Sequence, residues 1–202
     1  MIVIANYGVG NLRSVERMLR KAGAEAQLSS DPETIRKADK LILPGIGHFG
    51  HCMQEFTASP FYKDVLWFAL ESGKPILGIC VGAQMLGHSS EEAPGVAGLG
   101  WIDMVVRRFP EQPGYRVPNM GWNTVTPARP NLLVKDLNED SRFYFAHSFY
   151  MDCADQDAIM VRAHYGFEYT VGVNKKNIYG LQFHPEKSLR HGMAVMKAFS
   201  EL

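Results

Sequence analysis

The stretch Lys74-Pro75-Ile76-Leu77-Gly78-Ile79-Cys80-Val81-Gly82-Ala83-Gln84 constrains this chain more than any other. An apolar run ends at a cysteine with a glycine two positions to either side, and a helix-compatible segment follows. That is the pattern of a sharp strand-to-helix turn presenting a nucleophile, with cysteine in the place often held by serine. The backbone at the apex of such a turn is strained, and side chains at 78 and 82 would collide across it unless they are glycine. The turn also sets the thiol near a helix N-terminus, whose partial positive charge favours thiolate. Taken alone, the stretch fits a small buried cysteine between packing glycines equally well.

The flanking sequence supplies a sheet for this turn. Met1–Asn6 is an apolar run followed by the turn Tyr7-Gly8-Val9-Gly10-Asn11. Leu12, Val15, Met18, Leu19 and Ala22 then recur at helical spacing, with Asn11 as N-cap and Gly23 as stop. Ala24–Leu28 and Leu41-Ile42-Leu43 read as further strands, and the alternation with helices predicts a parallel sheet covered on both faces. The third strand runs into Pro44-Gly45-Ile46-Gly47, where glycines at a strand's carboxyl end let backbone N–H groups face a ligand. Helices are expected over Phe49–Ser59 and Phe61–Glu71, the second burying Val65, Phe68 and Ala69.

Beyond Gly98 the texture shifts to short β-like runs: Ile102–Phe109, Trp122–Thr126, Arg142–Phe149, Tyr169–Val173 and Ile178–Phe183. They predict an antiparallel portion added to the parallel sheet, with residues 1–202 forming one domain. In the run Ile178–Phe183, Tyr179, Leu181 and Phe183 share one face while Gly180, Gln182 and His184 share the other. A closing helix over His191–Glu201 is expected to bury Met193, Val195, Met196 and Phe199.

Composition excludes several function classes. The formal net charge is zero and no basic run is interleaved with aromatics, which argues against a nucleic-acid partner. Cys52, Cys80 and Cys153 are scattered, odd in number and without a C-x-x-C, so a reducing, cytoplasmic setting is expected. No signal peptide is read at the N-terminus and no apolar run reaches membrane-spanning length.

The second informative stretch is Gln182-Phe183-His184-Pro185-Glu186-Lys187-Ser188. Pro185 pushes His184 toward extended geometry, and in an extended segment residues i and i+2 project to the same side. The Glu186 carboxylate can then accept the His184 Nδ1–H and leave Nε2 to take a proton from a thiol. Cys80, His184 and Glu186 together supply nucleophile, base and orienter. His48, His51 and Cys52 are near enough in sequence to suggest a metal cluster, but no fourth ligand is evident; a polar helix start is the expected reading, with no metal and no cofactor.

Gly78-Ile79-Cys80-Val81-Gly82 with His184-Pro185-Glu186 resembles the class I, or triad, glutamine amidotransferases. The order of Asn6–Leu12, Pro44–Gly47, Ser89–Glu92, Met120–Asn123, Tyr144–Phe149 and Gln182–Ser188 is similar to that in the glutaminase subunits of imidazole glycerol phosphate synthases. This resemblance spans essentially the whole chain and implies a flavodoxin-like α/β fold. It implies L-glutamine as substrate, with Cys80 attacking the carboxamide, His184 moving protons and Glu186 orienting His184. It implies an oxyanion hole from the Val81 N–H and from Gly45, Ile46 and Gly47, where a peptide near Ile46 is thought to reorient. Gln84 and the backbone of His147, Ser148 and Phe149 would hold the glutamine.

A partner is also implied. Free ammonia is largely protonated at neutral pH and then no longer nucleophilic, and the chain is expected to leave no length for an acceptor domain of its own. In the resembled family the partner is a (β/α)8-barrel cyclase through which ammonia travels, giving a heterodimer. Asn11, Trp122, Asn123, Tyr144 and Lys187 match positions at that junction, although Trp122 also suits a core and Lys187 a solvated surface. Asn119 stands where the family more often has histidine. With Asn177-Ile178-Tyr179-Gly180, this is also similar to a divergent branch that supplies ammonia for sugar amidination in surface-polysaccharide pathways. The remaining rivals are a stand-alone cysteine hydrolase on the same fold and a non-catalytic binding module.

Overall fold

The computed structural model describes residues 1–202. Its first half alternates strand and helix: β1 (Ile2–Ala5), α1 (Leu12–Lys21), β2 (Ala26–Ser29), α2 (Pro32–Lys37), β3 (Lys40–Gly45), α3 (Phe49–Ala58), α4 (Tyr62–Leu70), β4 (Ile76–Cys80) and the single turn α5 (Val81–Gln84). The second half holds β5 (Met104–Arg108), β6 (Asn119–Thr124), β7 (Thr126–Pro127), β8 (Arg142–His147), β9 (Phe149–Cys153), β10 (Ile159–Tyr165), β11 (Phe167–Lys175), β12 (Ile178–Leu181) and α6 (Leu189–Glu201).

The main sheet runs β2-β1-β3-β4-β12-β11-β10-β7. Its first five strands pair in parallel and the rest antiparallel. The central strands are apolar on both faces, as a sheet covered by helices on each side requires: Val3, Ile4, Leu41, Ile42, Leu43, Ile76 and Leu77 are fully buried. The antiparallel portion arrives in two pieces. One extends the main sheet through β11 and β10, and the other is a separate ribbon of β6 and β8. A mixed α/β fold with a mostly parallel sheet is thus what the sequence pattern led us to expect.

Several boundaries differ from that pattern. The run Arg142–Phe149 is two strands, broken at Ser148, because β8 pairs with β6 while β9 turns to β5 and β11. Strand β12 stops at Leu181 rather than Phe183, since the His184 N–H leaves the ladder for the Tyr144 carbonyl at 3.0 Å. Strand β10 is absent from the sequence reading, its alternation blurred by Arg162 and His164. Helix α6 begins two residues early, and Met193 is not buried but 38% exposed. Its inward stripe instead includes Gly192, where an added Cβ would lie 1.9 Å from the Pro185 carbonyl oxygen. No helix is long and apolar enough to cross a membrane.

Strand β4 lies between β3 and β12, in parallel with both, and the register sets Gly45 opposite Cys80. The carboxyl ends of these three strands therefore deliver the Pro44–Gly47 loop, Cys80 and His184 to one place, the edge where open α/β sheets bind ligands.

Candidate active site

Cys80 ends β4 with φ 54° and ψ −113°, a left-handed conformation for a residue that carries a Cβ. The glycines around it are required by contact. A Cβ on Gly78 would lie 2.5 Å from the Gly82 carbonyl oxygen, and one on Gly82 would lie 2.0 Å from that of Leu43. The collision inferred from the sequence is thus present, and β3 is a third party to it. Helix α5 is only one turn long, so its dipole is a smaller influence on the thiol than a full helix would be.

His184 and Glu186 meet, though not along an extended strand as expected. His184 is extended, but Pro185–Lys187 forms a 3₁₀ turn that brings the Glu186 Oε1 to 2.8 Å from His184 Nδ1. Both side chains are almost fully enclosed, at 3% and 1% exposure. Burial alone would lower the His184 pKa. Cys80 and the Glu186 carboxylate outweigh it and push the imidazole up to about 10. The enclosed pair favours the charged imidazolium of His184. The second Glu186 oxygen is buried without a partner, so the carboxylate is held through its contact with His184.

The turn is clamped from the β6–β8 ribbon. Tyr144 N donates to Ser188 Oγ at 2.9 Å, and that hydroxyl donates to the His184 carbonyl at 2.6 Å. Ser188 is fully buried, a positioning role not read from the sequence although the motif stretch ends on it.

A pocket of about 190 Å³ opens over Cys80, lined by Ile46, Gly47, Val81, Gln84, Glu92, Ala146, His147, Ser148, Phe149, His184 and Lys187. It is smaller than pockets for drug-sized ligands and suits one small molecule. Gly47 lies at φ 81° in the loop that forms one wall. That loop is pinned from below by Tyr7, whose hydroxyl donates to the Pro44 carbonyl, and by Cys52, whose thiol donates to the Ile46 carbonyl at 3.3 Å. Burial raises the Cys52 thiol to about 11, which keeps it protonated as a donor.

Glu92 is the carboxylate among the lining residues, and its Oε2 accepts the Phe49 N–H at the start of α3 at 2.7 Å. The sequence reading matched its segment without giving the side chain a role. The other polar residues near α3 separate. His48 is the N-cap and accepts from Gly50 N, His51 is solvent-exposed near Glu55, and Cys52 is buried beneath the loop. No group of three or more His, Cys, Asp or Glu residues is placed to hold a metal ion.

The expected substrate residues behave differently from one another. The Gln84 Nε2 is occupied, donating to the Phe149 carbonyl at 3.2 Å and to Gln182 Oε1 at 3.0 Å. His147 acts as a buttress, its Nδ1 at 2.7 Å from the Phe149 carbonyl and Nε2 facing Asn119. Asn119 in turn donates to Tyr169 Oη at 3.0 Å.

Burial holds the His147 pKa down to about 4, so the folded protein keeps this ring neutral. An unfolded histidine takes up a proton near pH 6.5, so between pH 6.5 and 4 the unfolded state binds more protons and native stability falls. Urea unfolding should show a loss of about 2 kcal/mol from this group between pH 7 and pH 5. The variant His147→Gln should lack that component; an identical pH slope in both proteins would rule it out.

Of the residues expected at a partner junction, Trp122 and Tyr144 are cross-strand neighbours with ring centroids 6.1 Å apart. Lys187 Nζ sits 5.5 Å from the Tyr144 ring centroid. Trp122 is 48% exposed, so it is not a core residue. Asn123 lies on the opposite face of β6 and donates to the His164 carbonyl at 3.3 Å. Asn11 caps α1 without a side-chain hydrogen bond.

Comparison with known proteins agrees with this geometry. Residues 3–201 match the family model "Glutamine amidotransferase class-I". The chain is 46% identical over 202 residues to imidazole glycerol phosphate synthase subunit HisH 2 of Pseudomonas aeruginosa, covering all of both chains. It is 42% identical to the HisH 2 subunit of Methanococcus maripaludis, covering 98% of each. Among solved structures, a glutamine amidotransferase superposes with a TM-score of 0.77 at 19% identity, covering 100% of this chain and 98% of that one. PurLQS from Thermotoga maritima gives a TM-score of 0.74 at 19% identity, covering 98% and 96%. With the family model matching residues 3–201 of the chain and full-length relatives above 40% identity, the chain belongs to the class I glutamine amidotransferases.

Proposed function

We propose that residues 1–202 act as one glutaminase unit, hydrolysing L-glutamine to glutamate and ammonia for the synthesis of imidazole glycerol phosphate and AICAR in histidine biosynthesis. The observation that carries the chemistry is the enclosed His184, held at 2.8 Å by Glu186 and lining the same pocket as Cys80. The acceptor is argued from the full-length relatives, which are named as subunits of imidazole glycerol phosphate synthase.

In this reading the Cys80 thiolate attacks the carboxamide carbon. The Val81 N–H and a peptide of the Gly45–Gly47 loop receive the oxyanion, each donor contributing roughly 2.7–4 kcal/mol. His184 passes its proton to the departing nitrogen, leaving a thioester, and then activates the water that releases glutamate. Glu92 supplies a counter-charge for the substrate's α-ammonium, and the small pocket excludes a polypeptide. Ammonia leaves toward a (β/α)8-barrel cyclase docked over Trp122, Tyr144 and Lys187, with Asn11 and Asn123 at the edge of that contact.

The test is ammonia release from glutamine by the purified chain, alone and with a barrel cyclase carrying its acceptor substrate. Slow hydrolysis alone and stimulation of roughly 10²–10³-fold, the value of one oxyanion donor, are expected. Equal rates with and without partner would remove the partner from the mechanism. Stimulation by a sugar amidotransferase alone would move the acceptor to surface-polysaccharide synthesis. No release under any of these conditions would overturn the glutaminase reading.

A further inference from the structure

Gln182 is fully buried, and its Nε2 lies 3.8 Å from Cys80 Sγ. An amide beside a nucleophile could present either end to it, and the two ends have opposite consequences. Nitrogen would stabilise a thiolate and oxygen would repel it. The surrounding polar groups decide which end faces the sulfur.

A backbone carbonyl oxygen can only accept hydrogen bonds. The Phe149 carbonyl meets His147 Nδ1 at 2.7 Å and the Gln84 side-chain amide at 3.2 Å, so both of those atoms must be donors. Gln84 therefore turns its nitrogen inward. The second N–H on that nitrogen reaches the Gln182 side chain at 3.0 Å, and the atom met there must be an acceptor, Gln182 Oε1. The nitrogen of Gln182 is left facing Cys80. At the far end, a proton on His147 Nδ1 makes Nε2 the acceptor for Asn119 Nδ2 at 3.5 Å, in accord with a ring kept neutral. Gln84 is 2% exposed and His147 7%, so reversing any one amide would oppose like groups within a buried network.

We propose that Gln182 is a hydrogen-bond donor to the Cys80 thiolate, its polarity imposed through Gln84 by the Phe149 carbonyl. The nucleophile would then be held from two sides, by the His184 imidazolium and by a neutral donor. The neutral donor keeps its sense when His184 gives up its proton. This inference rests on Cys80 being the nucleophile of the proposed reaction, but its test needs no glutamine.

The experiment is the pH dependence of Cys80 carboxamidomethylation by iodoacetamide in the full-length protein, with Cys80 distinguished from Cys52 and Cys153 by peptide mass spectrometry. A hydrogen bond to a charged group is worth about 1.5–3 kcal/mol, so removing it should raise the alkylation midpoint by about one unit or more. Gln182→Met, which keeps the length and removes the donor, should show that rise. Gln182→Leu, which removes both ends of the amide, should show a rise of the same kind. The midpoint is read because a more basic thiolate is also more nucleophilic, which partly masks the change in rate at a single pH. A purely structural residue would lower the melting temperature and leave the midpoint in place; an unmoved midpoint in either folded variant overturns the proposal. Should neither variant fold, the Gln182 side-chain amide protons of the wild-type protein can be followed by NMR. They should shift with the alkylation midpoint, and amide protons that do not titrate there overturn it equally. Absence of glutaminase activity alongside a shifted midpoint would count against the proposed reaction only.

Discussion

Cys80→Gly is expected to abolish glutamine hydrolysis, by roughly 10⁴-fold or more, and yet to be more stable than Cys80→Ala. The loss of activity follows from removing the nucleophile, and both variants share it. The order of stabilities is the sharper expectation. Glycine is ordinarily less stable than alanine at a structured position by about 0.5–1 kcal/mol, because the unfolded chain gains freedom. Position 80 reverses this, since φ 54° and ψ −113° place any Cβ in a sparsely populated region. Strain of that kind costs about 1–3 kcal/mol, and glycine escapes it. Urea unfolding should therefore put the glycine variant above the alanine variant by about 1 kcal/mol. If alanine proves the more stable, Cys80 is not strained and the turn is held in some gentler way. The expected order would mean that the protein maintains a costly backbone at the one residue whose sulfur it must present.

What could be read from the sequence and what could not divide along a physical line. The elbow was legible because its constraint is local: an apolar strand, a cysteine and two glycines within five residues report their own sterics. His184 and Glu186 were legible because Pro185 ties their geometry to two residues of chain, even though the turn proved to be 3₁₀ rather than extended. The parallel half of the sheet was legible for the same reason, since each buried strand is a continuous apolar run.

The supports of the site were not legible. Gln84 meets Phe149 across 65 residues and Gln182 across 98, Tyr144 meets Ser188 across 44, and Phe49 meets Glu92 across 43. Such bonds are made by common polar residues whose type carries no signal until the fold brings them together. Cys52 shows the hazard directly: spacing suggested grouping it with His48 and His51, whereas its thiol points the other way, to the Ile46 carbonyl. Met193 failed for a related reason. The inward stripe of α6 is set by the close approach of Gly192 to Pro185, which apolar periodicity alone does not reveal.

Gly82→Ala is the substitution expected to damage the fold most. Other glycines of this protein have positive φ but open surroundings; Gly95, at φ 86°, would meet nothing within 4 Å, so Gly95→Ala should cost only the local strain, about 1 kcal/mol. A Cβ on Gly82 would instead sit 2.0 Å from the Leu43 carbonyl oxygen and 3.0 Å from its carbon. Neither partner can yield cheaply. Leu43 is fully buried in β3, and Gly82 is tied to β4 through Cys80, with Gly45 and Gly78 packed against the same turn at distances that leave no room for a side chain. The only relief is to move α5 away from β3, which opens the core beneath it. Urea unfolding should show a loss above about 3 kcal/mol, at or beyond the upper end of ordinary overpacking. The same movement separates Cys80 and Val81 from the Pro44–Gly47 loop that Leu43 leads into, and a misplacement of about 1 Å at a catalytic centre costs on the order of 10²-fold in rate. Any Gly82→Ala protein that remains folded should therefore hydrolyse glutamine far more slowly than its residual stability alone would suggest. Wild-type stability in that variant would show that α5 does not rest on β3 as closely as the structure has it. The elbow would then owe its shape to the Cys80 backbone and not to the strand beside it.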